Sequence, residues 1–336
     1  MNPIIGKSGQ SIHRLEDDRL LKGKGRFIDN LNFKEQDYLH IARSYCANAK
    51  ININNSGEVK KMSGVLDVFT GNNLMQDEIL PIPVTLVFKR PDGGPALSEP
   101  YHALSQGTVR FVGQPLAIVV AESREQAHQA AEVLEVEYEE YPAVTGLLEA
   151  TEPEAPLLCS ELPDNIAAYE TLGNLQDVVE IFSNAHHVTR MELINNRLVG
   201  SPLEPRGLIC YCDPNDGKLI LHASHQSATR LQGILCSIFK FQPEQLRVIV
   251  GDVGGGFGTK LSIYPEDVLV VYAAKKLNRP ITAIGDANTE RANQIAKEEK
   301  SASHERATAY TDHQKMLSTE TTDVVFTCIP PGAHTT

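Results

Sequence analysis

The stretch Gly251-Asp-Val-Gly-Gly-Gly-Phe-Gly-Thr-Lys260 constrains this chain more than any other, because four of the five residues from 254 to 258 are glycine. Each glycine loses more backbone freedom on folding than any other residue, so so dense a run needs a reason. An apolar segment over 246–250 predicts a strand leading in, and a helix is predicted over 265–277 with Pro265 at its first turn. Strand, bare-backbone loop and helix in succession form a setting where backbone N–H groups meet an anion, or where a ligand lies close against main chain. A strained turn between strand and helix is the plainer alternative.

Two phosphate motifs fail by counting. A P-loop needs lysine directly after its last glycine and then Ser or Thr, but here Thr259 intervenes and Leu261 follows. Counted from Gly254 and Gly256, the third small position of a dinucleotide fingerprint falls on Thr259.

The rest of the chain reads as short elements separated by turns. Residues 1–35 are irregular and charged, and a strand is predicted over 65–70 after the turn at Ser63-Gly64. Residues 89–100 hold three prolines and two glycines, which excludes regular structure there. The segment 115–121 (PLAIVVA) predicts a buried strand, and Ser123 with Gln126 forms a capping box opening a helix. Ala127, Ala130, Ala131 and Leu134 keep helical spacing, and 134–138 then alternates as a strand. After a linker over 142–163, a helix is predicted over 174–184. A hairpin follows from 208–212 and 218–223 around Asp213-Pro-Asn-Asp-Gly217, and a second amphipathic helix covers 228–240.

A net charge of −12 argues against general nucleic-acid binding, which needs a basic surface to neutralise phosphates. No apolar h-region opens the chain and no eighteen apolar residues run together, so neither a secretory leader nor a membrane span is expected, and the expected location is cytoplasmic. The six cysteines, at 46, 159, 210, 212, 236 and 328, form no C-x-x-C pair and no disulfide framework. Cys210 and Cys212 share one face of a predicted strand; reduced core thiols explain them more simply than metal ligands do.

With these residues in hand, the chain resembles the large, molybdopterin-binding subunit of the xanthine dehydrogenase/aldehyde oxidase family. The glycine loop resembles that family's G-G-G-F-G-x-K segment, Ser201-Pro-Leu-Glu-Pro-Arg206 its P-M-E-P-R segment, and His225-Gln226 the segment whose glutamine approaches the metal centre. Arg14-Leu-Glu-Asp17 and Leu21-Lys-Gly-Lys-Gly-Arg-Phe27 resemble its N-terminal lead-in. Val112-Gly-Gln-Pro-Leu-Ala-Ile-Val-Val-Ala121 and Val136-Glu-Tyr-Glu-Glu-Tyr-Pro142 resemble its hammerhead domain. The order agrees from about residue 5 to 280. The resemblance implies cofactor contacts at Gln226, Gly255, Gly256, Phe257 and Gly258, with no catalytic residue and no metal ligand among them. For Glu204 and Arg206 an ion pair within their own loop and a functional role stand equally open. Leu261 departs from the purine-oxidising members, which carry glutamate after the lysine, so an aldehyde or an N-heterocycle is the expected substrate class.

The same resemblance implies iron–sulfur and flavin partner subunits and a small-molecule substrate. It places most pterin contacts and the glutamate general base in a C-terminal half beyond the residues matched, so this chain is not expected to retain molybdopterin or to be active alone. After Pro280 the sequence changes character. A strand over 281–285, Asp286, a helix capped by Asn288 or Thr289, a buried strand over 323–329 and Pro330-Pro-Gly-Ala-His334 resemble the nucleotide-binding domain of the glucose-fructose oxidoreductase/inositol dehydrogenase family. Its glycine fingerprint and catalytic lysine motif are missing, so NAD(P) is not expected, and the two parts read as unrelated pieces joined near Pro280 in a rearranged, misassembled or decaying frame.

The expected fold is therefore α+β. An α/β-hammerhead domain (1–145) precedes the first part of a molybdopterin-binding domain (146–280) and a short partial Rossmann-like tail (281–336). A non-catalytic remnant that keeps a subunit-docking surface is one alternative function, and a fragment of a sugar-type NAD(P) dehydrogenase is the other. The tail is expected to dock loosely and to be cut first in limited proteolysis.

Overall fold

A computed structural model describes residues 14–83, 88–90, 92–94, 96, 99–158, 162, 164–195 and 198–284. The readings for Asp286, the helix after it, the strand over 323–329 and His334 lie outside the described residues.

The strands, in chain order, are β1 (Asp37–Arg43), β2 (Ala49–Ile53), β3 (Val65–Thr70), β4 (Thr108–Val109), β5 (Pro115–Ala121), β6 (Val136–Glu140), β7 (Gly207–Cys212), β8 (Leu219–Ala223), β9 (Leu246–Ile249) and β10 (Ile281–Ile284). The helices are α1 (Asp17–Leu21), α2 (Ser56–Val59), α3 (Gly71–Gln76), α4 (Arg124–Glu132), α5 (Leu175–Asn184), α6 (Ala228–Phe239) and α7 (Pro265–Leu277). Among the described residues the strands form a mixed seven-stranded sheet, in the order β3-β5-β1-β10-β7-β8-β9, and a three-stranded sheet, β4-β2-β6.

β5 is apolar throughout because both of its faces are covered. Ile118 and Val120 join the main core, while Val119 packs with Ala130 and Ala131 of α4 on the opposite face. As the capping box predicts, the Ser123 side chain accepts a hydrogen bond from the Gln126 N–H. The strand–helix–strand unit nevertheless divides: β5 lies in the large sheet, and β6, whose residues alternate, pairs with β2 in the small one. α7 is apolar on all sides and buries every residue from Asp267 to Ala274, which marks a central helix rather than a surface one.

One core runs through the large sheet. Leu39, Phe69 and Ile118 cluster with Leu208, Leu221, Leu235, Val271 and Ile281, so strands from both sides of the 142–163 linker share it. The expected break at 280/281 is not an edge of this sheet. β10 lies between β1 and β7, parallel to the first and antiparallel to the second. The Asp37 N–H donates to Pro280 O at 2.8 Å, Arg279 pairs with the Asp37 carboxylate, and Thr282 Oγ1 donates to Leu208 O at 3.1 Å. Loosening of the tail cannot begin at 281, because Ile281 has no exposed surface.

The N-terminal stretch also holds more order than its composition suggests. α1 and a 3₁₀ turn over Ile28–Asn30 form there, with Asp17 and Asp18 favourably placed in the first turn of α1. Cys210 is fully buried, and burial pushes its thiol well above its ordinary range, in keeping with a core thiol. No cluster of three or more His, Cys, Asp or Glu residues that could hold a metal ion occurs among the described residues. No helix among them is long and apolar enough to cross a membrane.

Truncating a buried isoleucine costs about 2–5 kcal/mol, whereas a residue in a loosely attached tail costs under about 0.5 kcal/mol. Ile281→Ala is expected to destabilise the protein by the larger amount in urea denaturation. A change in the smaller range would show that β10 does not belong to the core.

Candidate functional site

Strand direction gathers the residues that the sequence separates. β8 and β9 are parallel neighbours, with His222 opposite Ile249, so the chain leaving β8 (224–226) and the chain leaving β9 (251–260) emerge at the same end of the sheet. β7 runs antiparallel to β8, with Leu208 opposite Ala223, so the segment entering β7 (200–206) reaches that end too. Three motifs spread over 60 residues thereby become adjacent loops, at the strand ends where open α/β sheets commonly hold ligands.

A buried ion pair holds these loops together. The Lys260 side chain has no exposed surface, and its Nζ donates to Glu204 Oε2 at 2.9 Å and Ser224 Oγ at 2.7 Å. The Ser224 hydroxyl donates onward to Glu204 Oε2 at 2.6 Å. The same carboxylate accepts from the Gly254 N–H at 2.8 Å and, through Oε1, from the Ile28 N–H at 3.3 Å. Burial pushes the Glu204 carboxyl upward, but Ser224, the Gly254 N–H and Lys260 together outweigh it and hold the group below its ordinary range. Glu204 and Arg206 therefore do not pair with each other. The Arg206 guanidinium lies 3.5 Å from the centroid of the Tyr264 ring and approaches Glu266 Oε1 at 3.4 Å, which Arg43 also reaches at 2.7 Å.

The glycine loop has a second anchor on its lead-in side. Asp252 forms an ion pair with Arg19 and accepts the Arg26 N–H at 2.7 Å. Arg19, with help from that N–H, holds the Asp252 carboxyl down at about 2.

Of the five residues expected at a cofactor, the structure places Gln226 and Gly256 side by side. The Gln226 N–H donates to Lys260 O at 2.8 Å, and Gln226 Oε1 accepts the Lys260 N–H at 3.2 Å. A Cβ built on Gly256 would lie 2.7 Å from the Gln226 amide, so only glycine admits this approach without displacing the side chain. Gly255 (φ +97°) lies against Pro202 and the Phe257 ring, each 3.1 Å from where its Cβ would be. Phe257 itself has φ +47°, an uncommon conformation for a bulky residue, and its side chain is exposed. Gly258 (φ +84°) has nothing within 4 Å of a built Cβ, so the loop opens outward there. The loop thus presents bare backbone and one aromatic ring, with its charged groups turned inward.

A separate cleft of about 650 Å³ lies between the end of β1 and the start of α7, lined in part by Arg43, Tyr138, Arg206, His225 and Tyr264. It reaches Ser224 and Lys260, but neither Gln226 nor any residue from 251 to 258 lines it. It is a different surface from the glycine loop. Asp267 borders it, and burial lifts that carboxyl to about 7 although it accepts the Tyr264 N–H at 2.8 Å.

The functional elements least legible in the sequence were Ser224 and the partner of Lys260. Their only signals were a lone serine after an apolar strand and a lysine closing an apolar-flanked loop.

This geometry meets independent likenesses to known proteins. Residues 22–142 match the sequence model of the aldehyde oxidase and xanthine dehydrogenase a/b hammerhead domain, and residues 159–323 match that of the molybdopterin cofactor-binding domain. The chain belongs to the aldehyde oxidase and xanthine dehydrogenase family. It is 30% identical over 278 residues to the nicotine 6-hydroxylase large subunit of Paenarthrobacter nicotinovorans, covering 83% of this chain and 33% of that one. It is 27% identical to the carbon monoxide dehydrogenase large chain of Hydrogenophaga pseudoflava, covering 81% of this chain and 34% of the relative. The fold superposes on quinoline 2-oxidoreductase from Pseudomonas putida 86 with a TM-score of 0.72 at 31% identity, over 83% of this chain and 34% of that one. The chain spans about a third of the length of these relatives. It corresponds to a portion of the large subunits that it matches, and the match to the molybdopterin cofactor-binding domain continues across Pro280.

Removing one member of a buried ion pair strands the other and costs about 3–5 kcal/mol, whereas replacing both is often near neutral. Lys260→Met alone is expected to destabilise by that amount, and Glu204→Gln together with Lys260→Met to recover most of it in a double-mutant cycle. An additive double variant would show that the two residues do not act as a pair.

Asp267 yields a pH prediction. Its folded pKa of about 7 exceeds the unfolded value of about 3.9, so the folded state holds more protons between these limits, and stability from this group falls as pH rises through that window. Asp267→Asn should flatten the decline in denaturation midpoint between pH 5 and 8. An unchanged slope would mean that the carboxyl titrates normally.

Proposed function

We propose that this chain forms one wall of a molybdopterin site and contributes to oxidation of an aldehyde or N-heterocycle by a molybdenum hydroxylase. In this reading iron–sulfur and flavin subunits are its partners, and the chain does not turn over substrate by itself. The observation that carries the reading is the glycine-rich loop 254–258, half-buried at its first three residues and exposed at Phe257 and Gly258, fixed from beneath by Glu204 and Lys260 and backed at Gly256 by Gln226.

The residues present fit one side of such a group. A broad, nearly flat ligand needs close backbone approach and no intruding side chains, and the open space beyond Gly258 beside the exposed Phe257 ring offers that. Because Gln226 Oε1 accepts the Lys260 N–H, its NH₂ remains as the donor end that a ligand can use. When bound, the molybdenum cofactor supplies the two-electron oxidation, while the chain positions it. Leu261 offers no hydrogen bond to a purine, which argues against xanthine. Support for an N-heterocycle comes from relatives named for nicotine and quinoline.

The place of β10 in the central sheet and a molybdopterin-domain match running to residue 323 both favour one continuous domain over a joint at Pro280. No observation favours the NAD(P)-dehydrogenase alternative. The test is metal analysis of the purified 336-residue chain, with dye-linked assays on aldehydes and quinoline-type heterocycles. Far less than one molybdenum per chain and no turnover are expected. Stoichiometric molybdenum with turnover by this polypeptide alone would refute the one-wall reading.

A further inference from the structure

The glycine loop needs a restraint that its glycines cannot supply. Phe257 at φ +47° lies between Gly255 at φ +97° and Gly258 at φ +84°, and a bulky residue keeps such a conformation only where its surroundings over-determine it. The Glu204 carboxylate and the Lys260 ammonium grip the loop at Gly254 and at Lys260, the two ends of this stretch. Thr259 grips its middle. The Thr259 N–H and the Thr259 hydroxyl both donate to Gly256 O, each at 2.8 Å. The Thr259 methyl packs against Gly200, 3.2 Å from where a Cβ would lie, which leaves the hydroxyl to face the loop.

Thr259 is held in turn from the start of α7. The half-buried Tyr264 donates its phenolic O–H to Thr259 O at 2.7 Å. The ring that carries this hydroxyl lies against the Arg206 guanidinium, and the Tyr264 N–H donates to the Asp267 carboxylate at 2.8 Å. Arg206 shares Glu266 with Arg43, so the restraint begins at the end of β1 and at the entry to β7. Each member of such a series orients the next. Its last member is Gly256, the residue whose backbone closes on the Gln226 amide.

We infer that Tyr264 and Thr259 are positioning residues: Tyr264 orients Thr259, and the two donors of Thr259 fix the Gly256 carbonyl and so keep Gly256 against Gln226. This deepens the function proposed above and rests on it for what the loop faces. Both residues act through Gly256 and set the fit of the wall, not the chemistry at it. Tyr264 also has two plainer roles, packing on Arg206 and bonding Asp267 through its backbone, and both survive loss of its hydroxyl. The Thr259 N–H alone closes the turn onto Gly256. The two hydroxyls are therefore what the positioning role needs and a purely structural role does not.

The dipeptide Gly256-Phe257 is the single Gly-Phe pair in the sequence. The full chain labelled with carbonyl-13C glycine and 15N phenylalanine therefore gives one carbonyl–amide correlation, which reports the Gly256 carbonyl. Thr259→Val should move that carbonyl resonance upfield, as a carbonyl that loses a donor does, and Thr259→Ser, which keeps the hydroxyl, should restore it. Tyr264→Phe keeps the ring on Arg206 and removes a bond to a different carbonyl, yet it should move the same resonance. It should also quicken amide exchange over residues 256–260 about fivefold, the effect of losing one hydrogen bond, with exchange inside α7 unchanged. The inference fails if Thr259→Val leaves the resonance in place or if Thr259→Ser does not restore it. It fails equally if Tyr264→Phe leaves the resonance in place, or unfolds the chain and so shows Tyr264 to be a structural residue. The measurement needs no bound cofactor. Stoichiometric molybdenum with turnover by the chain alone would strike the one-wall reading and leave this result standing, whereas an unmoved resonance strikes the positioning role alone.

Discussion

A lysine ammonium with no exposed surface is tolerable only where its charge and its donors are met, and the glycine loop depends on how Lys260 solves that problem. Its partners come from two other segments, Glu204 before β7 and Ser224 after β8, and the same carboxylate also receives N–H groups from Gly254 and Ile28. One carboxylate thus fixes four stretches of chain. Buried pairs of this kind add little net stability over apolar substitutes, but they penalise any arrangement that separates the partners. Here the arrangement selected is a loop whose charged side chains turn inward and which is exposed at Phe257 and Gly258.

The sheet makes that knot possible. Parallel pairing of β8 with β9, and antiparallel pairing of β7 with β8, bring three loop-forming ends to one edge of the structure. β10 then ties this half to β1 and β5, so a single core supports both the hammerhead-like strands and the site. α7 begins immediately after the loop and is the most deeply buried helix, which gives the loop a rigid continuation on its C-terminal side. Asp252, paired with Arg19, provides the corresponding restraint on the other side.

The molecule is therefore well finished beneath the loop and unfinished above it. The Lys260 ammonium and the Glu204 carboxylate meet their partners beneath the loop, while Phe257, Leu198, Val199 and the apolar stripe of α5 are exposed among the described residues.

Much of this was legible in the sequence, because the signals concerned are local. The unbroken apolar run of β5, the Ser123 cap, the Asp-Pro-Asn-Asp-Gly turn and Pro265 at a helix start each act within a few residues, and the elements formed where they predict. The glycine spacing likewise announced close approach of backbone, and the family resemblance rested on contiguous motifs. What the sequence left undecided was every relation across distance. That Lys260 would meet Glu204 rather than leave it to Arg206, that β6 would abandon the sheet of β5, and that Ile281 would enter the core instead of opening a tail were settled only by the tertiary structure. Strand order and burial decide such pairings, and both are properties of the assembled chain that no short stretch of residues carries by itself.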